Sequence, residues 1–452
     1  MKKLIALLLT LALAFGLLAG CAANSEPAAP EADTADTPTQ EVPQEGKDST
    51  PTEKQILKLM SVGTSAEQAY IDTLTAAVDA FNADNEYNVE IQIEWYENDA
   101  YTTKLTTLMT QNEVPDIFFA WGSGYLKPYV EADRVLSLTP YMDADPEWAG
   151  RFYDGTLSST TYNGEVYAVP STQTVGTIYY NKAIFDSCGL QAPTTWDEFA
   201  NVCKVLNENS ITPIALGGAA SWVVAYYMGM IQGGTTGPEA YNGLFDGTTT
   251  WMDAYTDAFK AYQEVAAMGA FSDNYLGISY DEAREEFAGG SAAMYPMGTW
   301  DTAAVISGLG GEDAVGVFFM PPKTEGLKPC TVAQMDKIYA VSATCTNADA
   351  AVAFLKTLTT PEYQGKLVLD TGALPVADAD TSAGTIDAVT QAVMAGMPNV
   401  TSVLPTDAFG DPISSEIMNV CVAVANGENA EEQAAYCLLY TSPSPRDGLL
   451  SR

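Results

Sequence analysis

The sequence predicts an α/β fold built from two domains, and three observations indicate it. Apolar runs with strand character alternate with amphipathic helical patterns along most of the chain. This alternation is typical of α/β layers with mostly parallel strands. The pattern extends over about 380 residues, from roughly 55 to 436, which is too many for one compact core. The first elements also follow the order strand, helix, strand, helix, strand.

The first strand is predicted from an apolar run that ends at Gly63. Ser65, with Gln68 three residues later, indicates a capping box at the start of the first helix. Apolar residues at helical spacing then give that helix one buried face, and alternation of apolar and polar residues marks the next strand. The predicted elements of this stretch are 56–62, 65–81, 89–95, 101–109 and 117–121.

Two further strands are predicted over 166–170 and 177–181, with a polar, flexible connection between them. Thr195 and Glu198 form a capping box ahead of the next helix. Thr360, followed by Pro361 at the first helical position, starts a later helix. The remaining predicted helices are at about 253–268, 280–288, 348–358 and 361–370, and the remaining strands are near 213–216, 292–296, 315–320 and 338–342.

The N-terminus has the form of a secretory signal peptide over 1–20. A cationic start precedes an apolar run over 4–18, which is shorter than the roughly twenty residues that span a bilayer. Cys21 follows Leu-Ala-Gly and resembles a bacterial lipobox, which implies cleavage before Cys21 and its acylation. Residues 21–54 are acidic and rich in Ala, Pro and Thr, so we expect a disordered tether. The expected location is the outer face of the cytoplasmic membrane, on a Gram-positive surface; an unanchored secreted protein is the alternative.

The end of the chain, 437–452, does not continue the pattern. The helical periodicity of 428–436 stops there, and the sequence that follows resembles a translated sequencing adapter. We therefore expect this tail to be non-native and leave it out of the fold prediction. A genuine tail rich in Pro and Ser is the alternative.

The composition excludes several classes of function. The chain has 58 acidic and 20 basic residues and a net charge of −38, so it repels nucleic acid and anionic lipid head groups. It has no histidine, which excludes histidine-activated nucleophiles and histidine-ligated metal sites. We predict no metal and no cofactor. No CxxC pair occurs, and buried thiols are favoured over disulfides; the pairs to test are Cys188 with Cys203 and Cys330 with Cys345.

Six sequence blocks occur in a fixed order over most of 55–436. They are VPDIFFAWG (114–122), GEVYAVP (164–170), YYNK (179–182), TWDEF (195–199), ITPIALG (211–217) and AAMYPMGTWD (292–301). Together they resemble the extracellular sugar-binding proteins of ATP-binding-cassette importers. Each block alone is modest evidence for this family, but the occurrence of all six in this order is specific for it.

This resemblance implies a periplasmic-binding-protein-like fold of type II, with two lobes that close on the ligand by hinge bending and three segments that cross between them. The chain would then be a monomer and not an enzyme. It would capture a mono- or oligosaccharide in the cleft and deliver it to the permease subunits of the importer. The lobes are expected at 55–170 plus 320–371 and at 176–315 plus 376–436, with crossings near 170–176, 315–320 and 371–376.

The candidate ligand-binding residues follow from the chemistry of a sugar ring. Its C–H faces stack on aromatic side chains, and its hydroxyls bond to polar groups in the plane of the ring. Trp121 ends a predicted strand, where α/β sheets bind ligands. Trp222 follows a small-residue loop, and Trp300 follows the glycine turn at which the family carries a stacking aromatic. The candidate polar contacts are Asp301, Asp336, Ser171, Thr172, Gln173 and Glu67.

A purely structural role is the alternative for several of these residues. Core packing is the alternative for the tryptophans, helix capping for Asp301, and helix-dipole stabilisation for Glu67. Two other functions also stay open. A binder of a polyamine or a peptide would share the fold. A glycoside hydrolase needs only two carboxylates, although the sequence marks out no pair.

Overall fold

The computed structural model describes residues 54–397, 401–402, 405–410 and 412–441. The predicted signal peptide, Cys21 and nearly all of the predicted tether lie outside the described residues. So does the predicted tail beyond Thr441.

Strands and helices alternate along the described chain. The strands are β1 (Gln55–Val62), β2 (Val89–Tyr96), β3 (Ile117–Ala120), β4 (Thr161–Tyr162), β5 (Glu165–Val166), β6 (Ala168–Asn181), β7 (Thr212–Ile214), β8 (Ala292–Gly298), β9 (Val315–Phe318), β10 (Thr331–Val341) and β11 (Thr401–Ser402). The first helices are α1 (Gln68–Ala83), α2 (Asn98–Gln111), α3 (Lys127–Glu131), α4 (Thr139–Ala144), α5 (Pro146–Ala149), α6 (Lys182–Ser187), α7 (Trp196–Glu208), α8 (Ser221–Gln232) and α9 (Pro238–Asp246). The later helices are α10 (Trp251–Ala267), α11 (Tyr280–Ala288), α12 (Thr302–Gly308), α13 (Ala348–Thr357), α14 (Pro361–Thr371), α15 (Ala388–Gly396), α16 (Pro405–Phe409), α17 (Ile413–Ala425) and α18 (Ala430–Thr441).

The N-terminal core is the hydrophobic cluster around the parallel strands β2, β1 and β3. The strand order is β2-β1-β3-β10, and β10 adds to β3 in the antiparallel sense. Helix α1 buries its predicted face, with Leu74 and Val78 inward, and helices α2, α13 and α14 also contribute apolar residues. Representative buried members of this core are Leu59, Phe118 and Tyr339.

The C-terminal core is the larger hydrophobic cluster, which forms around β7, β8 and β9. Strand β8 pairs with β7 in parallel and with β6 in the antiparallel sense. Helices α7, α8, α10, α11 and α17 pack their apolar faces here, and Phe199, Tyr262 and Met294 are among its buried members. The predicted capping box of Thr195 and Glu198 is present at the start of α7.

Two long antiparallel strands, β6 and β10, join the two cores. Strand β6 begins in the N-terminal core at Ala168 and ends in the C-terminal core, while β10 runs in the opposite direction. The sequence predicted a flexible connection over 171–176, and this prediction is wrong. The segment is extended because its backbone pairs with β10, a partner about 160 residues away in the chain. The sheet is therefore mixed rather than mostly parallel.

The structure also differs from the predicted crossing over 315–320. Strand β9 pairs with the 178–181 end of β6, and Met320 packs in the C-terminal core. The chain instead passes back to the N-terminal core through β10. Near the third predicted crossing, Leu374 forms a bridge with Gln173 and lies in a small apolar cluster with Val175.

Local details correct two further expectations and agree with a third, that free thiols are favoured over disulfides. A 3-10 turn occupies Ser65–Glu67, so α1 begins at Gln68 and the predicted Ser65 capping box is absent. Helix α18 extends to Thr441, beyond the predicted end at 436, and Cys437 is buried in the C-terminal core. Cys188, Cys203 and Cys345 are free thiols, so neither candidate disulfide forms. Across the described ranges, the structure contains no helix that is long and apolar enough to cross a membrane.

Candidate ligand-binding cavity

A cavity of about 460 Å³ opens between the two cores. Its volume falls within the range of about 300–1,000 Å³ that is usual for small-molecule sites. The N-terminal side is formed by the ends of β1 and β3 and by the start of α2. The C-terminal side is formed by α8, α11, α16, α17 and the turn after β8. Strand β10 supplies the floor with Gln334, Asp336 and Lys337.

Four aromatic side chains form the C-terminal wall of the cavity. They are Trp222 and Tyr226 on α8, Tyr280 at the start of α11, and Trp300 on the turn after β8. The Trp300 ring lies 5.1 Å from the ring of Tyr226 and 6.1 Å from the ring of Trp222, measured between centroids. These contacts join three separate elements into one aromatic surface, which we call the aromatic wall.

Gly298 allows the Trp300 indole to lie flat against the end of β8. A Cβ atom added at Gly298 would come within 2.1 Å of the indole ring, so any side chain there would displace Trp300. The indole Nε1 of Trp300 donates to the hydroxyl of Tyr280 at 3.1 Å. Backbone shape and a hydrogen bond therefore fix this ring from two directions.

Asp301 lies behind the aromatic wall, and its carboxylate does not line the cavity. It is fully buried and accepts hydrogen bonds from the hydroxyls of Tyr280 (2.5 Å) and Tyr295 (2.7 Å). Its Oδ1 is 3.9 Å from Nη1 of Arg284. Burial raises the pKa of Asp301 to about 6, although the two hydroxyls and Arg284 oppose that shift. Asp301, which was predicted to contact the ligand, therefore does not line the cavity, because its carboxylate is fully buried and is held by Tyr295 and by the cavity residue Tyr280.

The N-terminal side carries a second aromatic group. Trp121 directly follows β3 and borders the cavity, with Phe119 beneath it at a centroid distance of 4.8 Å and a nearly perpendicular ring. The hydroxyl of Tyr101 donates to the carbonyl of Phe119 at 2.5 Å, which ties helix α2 to the end of β3. Trp121 is thus a half-buried ring on a rigid base.

A buried ion cluster forms the polar end of the cavity. The ammonium of Lys337 pairs with the Glu67 carboxylate and lies 3.4 Å from Oδ2 of Asp336. It also lies over the ring of Tyr70, 5.0 Å from the centroid. Burial alone would lower the pKa of Lys337, but Asp336 and Glu67 outweigh it, so the net shift is upward. The lysine therefore stays charged and holds two carboxylates beside the cavity.

The backbone of Lys337 is unusual for a residue in a strand. Its φ is +47°, in the left-handed region that non-glycine residues rarely adopt. The hydroxyl of Ser171 donates to the Lys337 carbonyl at 3.0 Å, and the backbone NH of Lys337 donates to Asp336 at 2.8 Å. Backbone strain of this kind is common at functional sites. The left-handed conformation of Lys337 directs its side chain towards Glu67.

A further carboxylate, Asp407, lines the cavity on the side opposite the N-terminal core. Burial raises the pKa of Asp407 to about 7, the charge of Asp336 adds to the shift, and a hydrogen bond with Thr406 opposes it. Asp407 is therefore partly protonated near neutral pH. Oε1 of Gln334, also at the cavity, is buried and has no hydrogen-bond partner within the described part of the chain.

The two sides of the cavity touch each other beside Asp407. The backbone NH of Gly124 donates to the Asp407 carbonyl at 2.8 Å, and the hydroxyls of Tyr125 and Ser414 are 2.6 Å apart. A Cβ atom added at Gly124 would be 2.2 Å from the backbone nitrogen of Gly410. We call this contact of Gly124 and Tyr125 with Asp407, Gly410 and Ser414 the rim contact.

The structure brings five of the sequence-predicted site residues to the cavity. These are Glu67, Trp121, Trp222, Trp300 and Asp336. Thr172 and Gln173 border a neighbouring space of about 30 Å³, whereas Ser171 is buried and bonded to Lys337.

Sequence reasoning missed several residues that line the cavity. Lys337 had one available signal, since it directly follows the predicted Asp336. Of the others, Gln334 lies in strand β10 and the rest lie in helices, where nothing in the neighbouring sequence distinguishes them from packing residues. The missed residues are Lys337, Gln334, Tyr226, Tyr280 and Asp407.

Comparison with known proteins assigns the fold to a family. Residues 65–365 match the model of the bacterial extracellular solute-binding proteins. The chain belongs to this family. The resemblance indicated by the six sequence blocks is thereby confirmed.

Individual relatives differ in how much of the chain they cover. The multiple sugar-binding protein of Streptococcus mutans is 28% identical over 263 residues, which is 54% of this chain and 62% of that relative, less than two thirds of its length. The diacetylchitobiose-binding protein DasA of Streptomyces coelicolor is 26% identical over 78% of this chain and 82% of that relative.

Solved structures share the fold over nearly all of their length. One, from work on xylan utilization by Caldanaerobius polysaccharolyticus, has a TM-score of 0.78 at 27% identity, over 84% of this chain and 98% of that one. A chitin oligosaccharide binding protein has a TM-score of 0.79 at 24% identity, over 86% of this chain and 98% of that one. The mixed α/β fold therefore matches type II periplasmic-binding-protein structures.

Proposed function

We propose that the chain is an extracellular receptor that captures a mono- or oligosaccharide in the cavity and delivers it to the permease of an ATP-binding-cassette importer. One observation carries the proposal: aromatic rings from both cores and a cluster of carboxylates face the same 460 Å³ space. Membership in a solute-binding family supports a binding protein rather than an enzyme. The names of the sugar-binding relatives support a carbohydrate ligand.

The residues at the cavity match the two surfaces of a sugar. The C–H faces of a pyranose stack on aromatic rings such as Trp300 and Trp121, and each such contact contributes about 0.5–1.5 kcal/mol beyond burial. Its hydroxyls donate to carboxylates such as Glu67 and Asp336, and each such bond contributes about 1.5–3 kcal/mol. Two contacts of each kind give about 4–9 kcal/mol, which reaches the roughly 8 kcal/mol of a micromolar complex.

Lys337 favours a neutral ligand over a polyamine. The buried ammonium already neutralises part of the charge of Glu67 and Asp336. A cationic ligand would have to approach that ammonium in a site of low dielectric constant, where like charges repel strongly. A polyhydroxylated ligand can use the same carboxylate oxygens without this repulsion.

Isothermal titration calorimetry with a small panel tests the function. The panel contains raffinose, diacetylchitobiose, a xylo-oligosaccharide and spermidine. We expect a neutral sugar to bind with a dissociation constant near or below the micromolar range, and spermidine not to bind. Trp121→Ala should weaken sugar binding, whereas Tyr153→Ala, an exposed aromatic residue outside the cavity, is the matched control. Binding of spermidine and of no sugar would contradict the proposal.

The two cores act in this proposal as lobes that close on the ligand, joined by three connections. Strands β6 and β10 supply two, and the segment after Thr371 supplies the third. The rim contact would then form on closure. Small-angle X-ray scattering should show a smaller radius of gyration when the sugar is added, and an unchanged radius would count against closure.

Anchoring and partners complete the proposal. We infer that Cys21 carries a lipid that holds the protein at the outer face of the cytoplasmic membrane, and that it acts as a monomer beside the permease without binding nucleic acid. Cys21→Ser should release the protein into the medium or leave it unprocessed. Retention of the variant on the membrane with lipid attached would refute the anchor.

A further inference from the structure

We infer that Asp301 is a positioning residue that sets the orientation of the Trp300 ring through the hydroxyl of Tyr280. This inference rests on the proposed function, because it concerns the surface on which the ligand would stack. It assigns a role to a buried carboxylate that does not itself reach the cavity.

A continuous chain of hydrogen bonds supports the inference. The Tyr280 hydroxyl donates to Oδ1 of Asp301 at 2.5 Å, which leaves its lone pairs to accept the Trp300 indole NH at 3.1 Å. A hydroxyl has one hydrogen, so the bond to Asp301 determines in which direction Tyr280 can accept. The second carboxylate oxygen is held by Tyr295 at 2.7 Å. Asp301 therefore fixes which group donates and which accepts in each of these hydrogen bonds.

The arrangement depends on the charge of Asp301. When the carboxyl is protonated, it must donate its own proton, and one of its two tyrosine partners has to turn its hydroxyl away. If Tyr280 turns, its hydrogen faces the Trp300 indole NH, and the two donors no longer match. Arg284 and Glu67 are the charged groups that act on Asp301, from α11 and from the turn before α1, while Asp281 pairs with Arg284 at 2.5 Å. Since Asp301 titrates at a pKa of about 6, the orientation of Trp300 should change between pH 7.5 and pH 5.

The first test needs no ligand. The indole NH signals of the seven tryptophans are recorded by two-dimensional 15N NMR, and Trp300→Phe identifies the Trp300 signal. Asp407→Asn is the parent in this test, because Asp407 lines the same cavity and titrates in this range. In this parent we expect the signal to move with a midpoint near pH 6, and to stay fixed over that range when Asp301→Asn is added. Asp281→Asn removes the other carboxylate on Arg284 and is the matched control, which should keep the titration. A Trp300 signal that titrates equally in Asp301→Asn would overturn the inference.

The second test measures sugar affinity by calorimetry, with Asp407→Asn as the parent so that Asp407 does not titrate. At pH 7.5, Asp301→Asn and Tyr280→Phe should each weaken binding about tenfold, as expected for one hydrogen bond, and Asp281→Asn should change it less than about twofold. In a Trp300→Phe background, neither Asp301→Asn nor Tyr280→Phe should weaken binding further. Equal losses in both backgrounds would mean that they act on the ligand without Trp300, which would overturn the inference.

The two experiments separate this inference from the proposed function. If no sugar binds the wild type but the Trp300 signal titrates through Asp301, the proposed function fails and the positioning role holds. If sugar binds but the titration of the Trp300 signal does not depend on Asp301, only the positioning role fails. Should Asp301→Asn not fold, Tyr280→Phe provides the same readouts, since it removes the hydroxyl that links Trp300 to Asp301.

Discussion

Replacement of Lys337 by methionine tests how the polar end of the cavity is held. The side chains of Lys337, Glu67 and Asp336 are only 8%, 7% and 10% exposed, so the substitution leaves two buried carboxylates without their cation. Removal of one partner of a buried ion pair typically costs about 3–5 kcal/mol, because the remaining charge is uncompensated. Methionine keeps the length of the side chain and the left-handed backbone, so the loss reports the charge.

Urea denaturation at pH 7.5 measures the effect. We expect Lys337→Met to lower the free energy of unfolding by about 3–5 kcal/mol. Lys127→Met is the matched control, since Lys127 and Glu131 form an ion pair whose side chains are 59% and 62% exposed, and such pairs contribute about 0–1 kcal/mol. Adding Glu67→Gln to Lys337→Met should recover part of the loss.

The same experiment can refute the reasoning. A loss no larger than that of Lys127→Met would mean that water or rearrangement compensates the two carboxylates. A loss that Glu67→Gln makes worse would assign the effect to packing rather than to charge.

Three further predictions concern the cavity. Trp300→Ala should weaken sugar binding by about 1–3 kcal/mol in calorimetry without unfolding the protein, and unchanged affinity would remove this ring from the site. Asp407 has a pKa raised from 3.8 to about 7, so its contribution to stability is present below pH 3.8 and is lost as the pH rises through 7. The free energy of unfolding should therefore fall between about pH 4 and 7 in the wild type, and fall less steeply in Asp407→Asn; identical slopes would argue against a raised pKa at Asp407. Gly124→Val should block the rim contact and weaken sugar binding in calorimetry, whereas Gly277→Ala, with open space around it, should not.

The sequence was sufficient wherever the structural signal is local. Thr195 with Glu198, and Thr360 with Pro361, start helices where predicted, because capping depends on residues within one turn. The place of Trp121 and Trp300 at the cavity was predictable, because the strand ends that they follow were recognisable from the residues around them.

The remaining features depend on contacts between distant parts of the chain. Strand β6 is continuous because β10, about 160 residues later, pairs with its polar middle. Burial of Lys337 depends on Glu67, which is 270 residues away. Asp301 is enclosed by Tyr280 and Tyr295, so its place behind the wall follows from packing rather than from its neighbours in sequence.

A crystal structure of the protein with the sugar that binds most tightly in calorimetry tests the central claim most directly. The account predicts a pyranose ring stacked on Trp300 or Trp121, with hydroxyls within hydrogen-bonding distance of Glu67 or Asp336. A sugar bound elsewhere on the surface, with this cavity left empty, would contradict it.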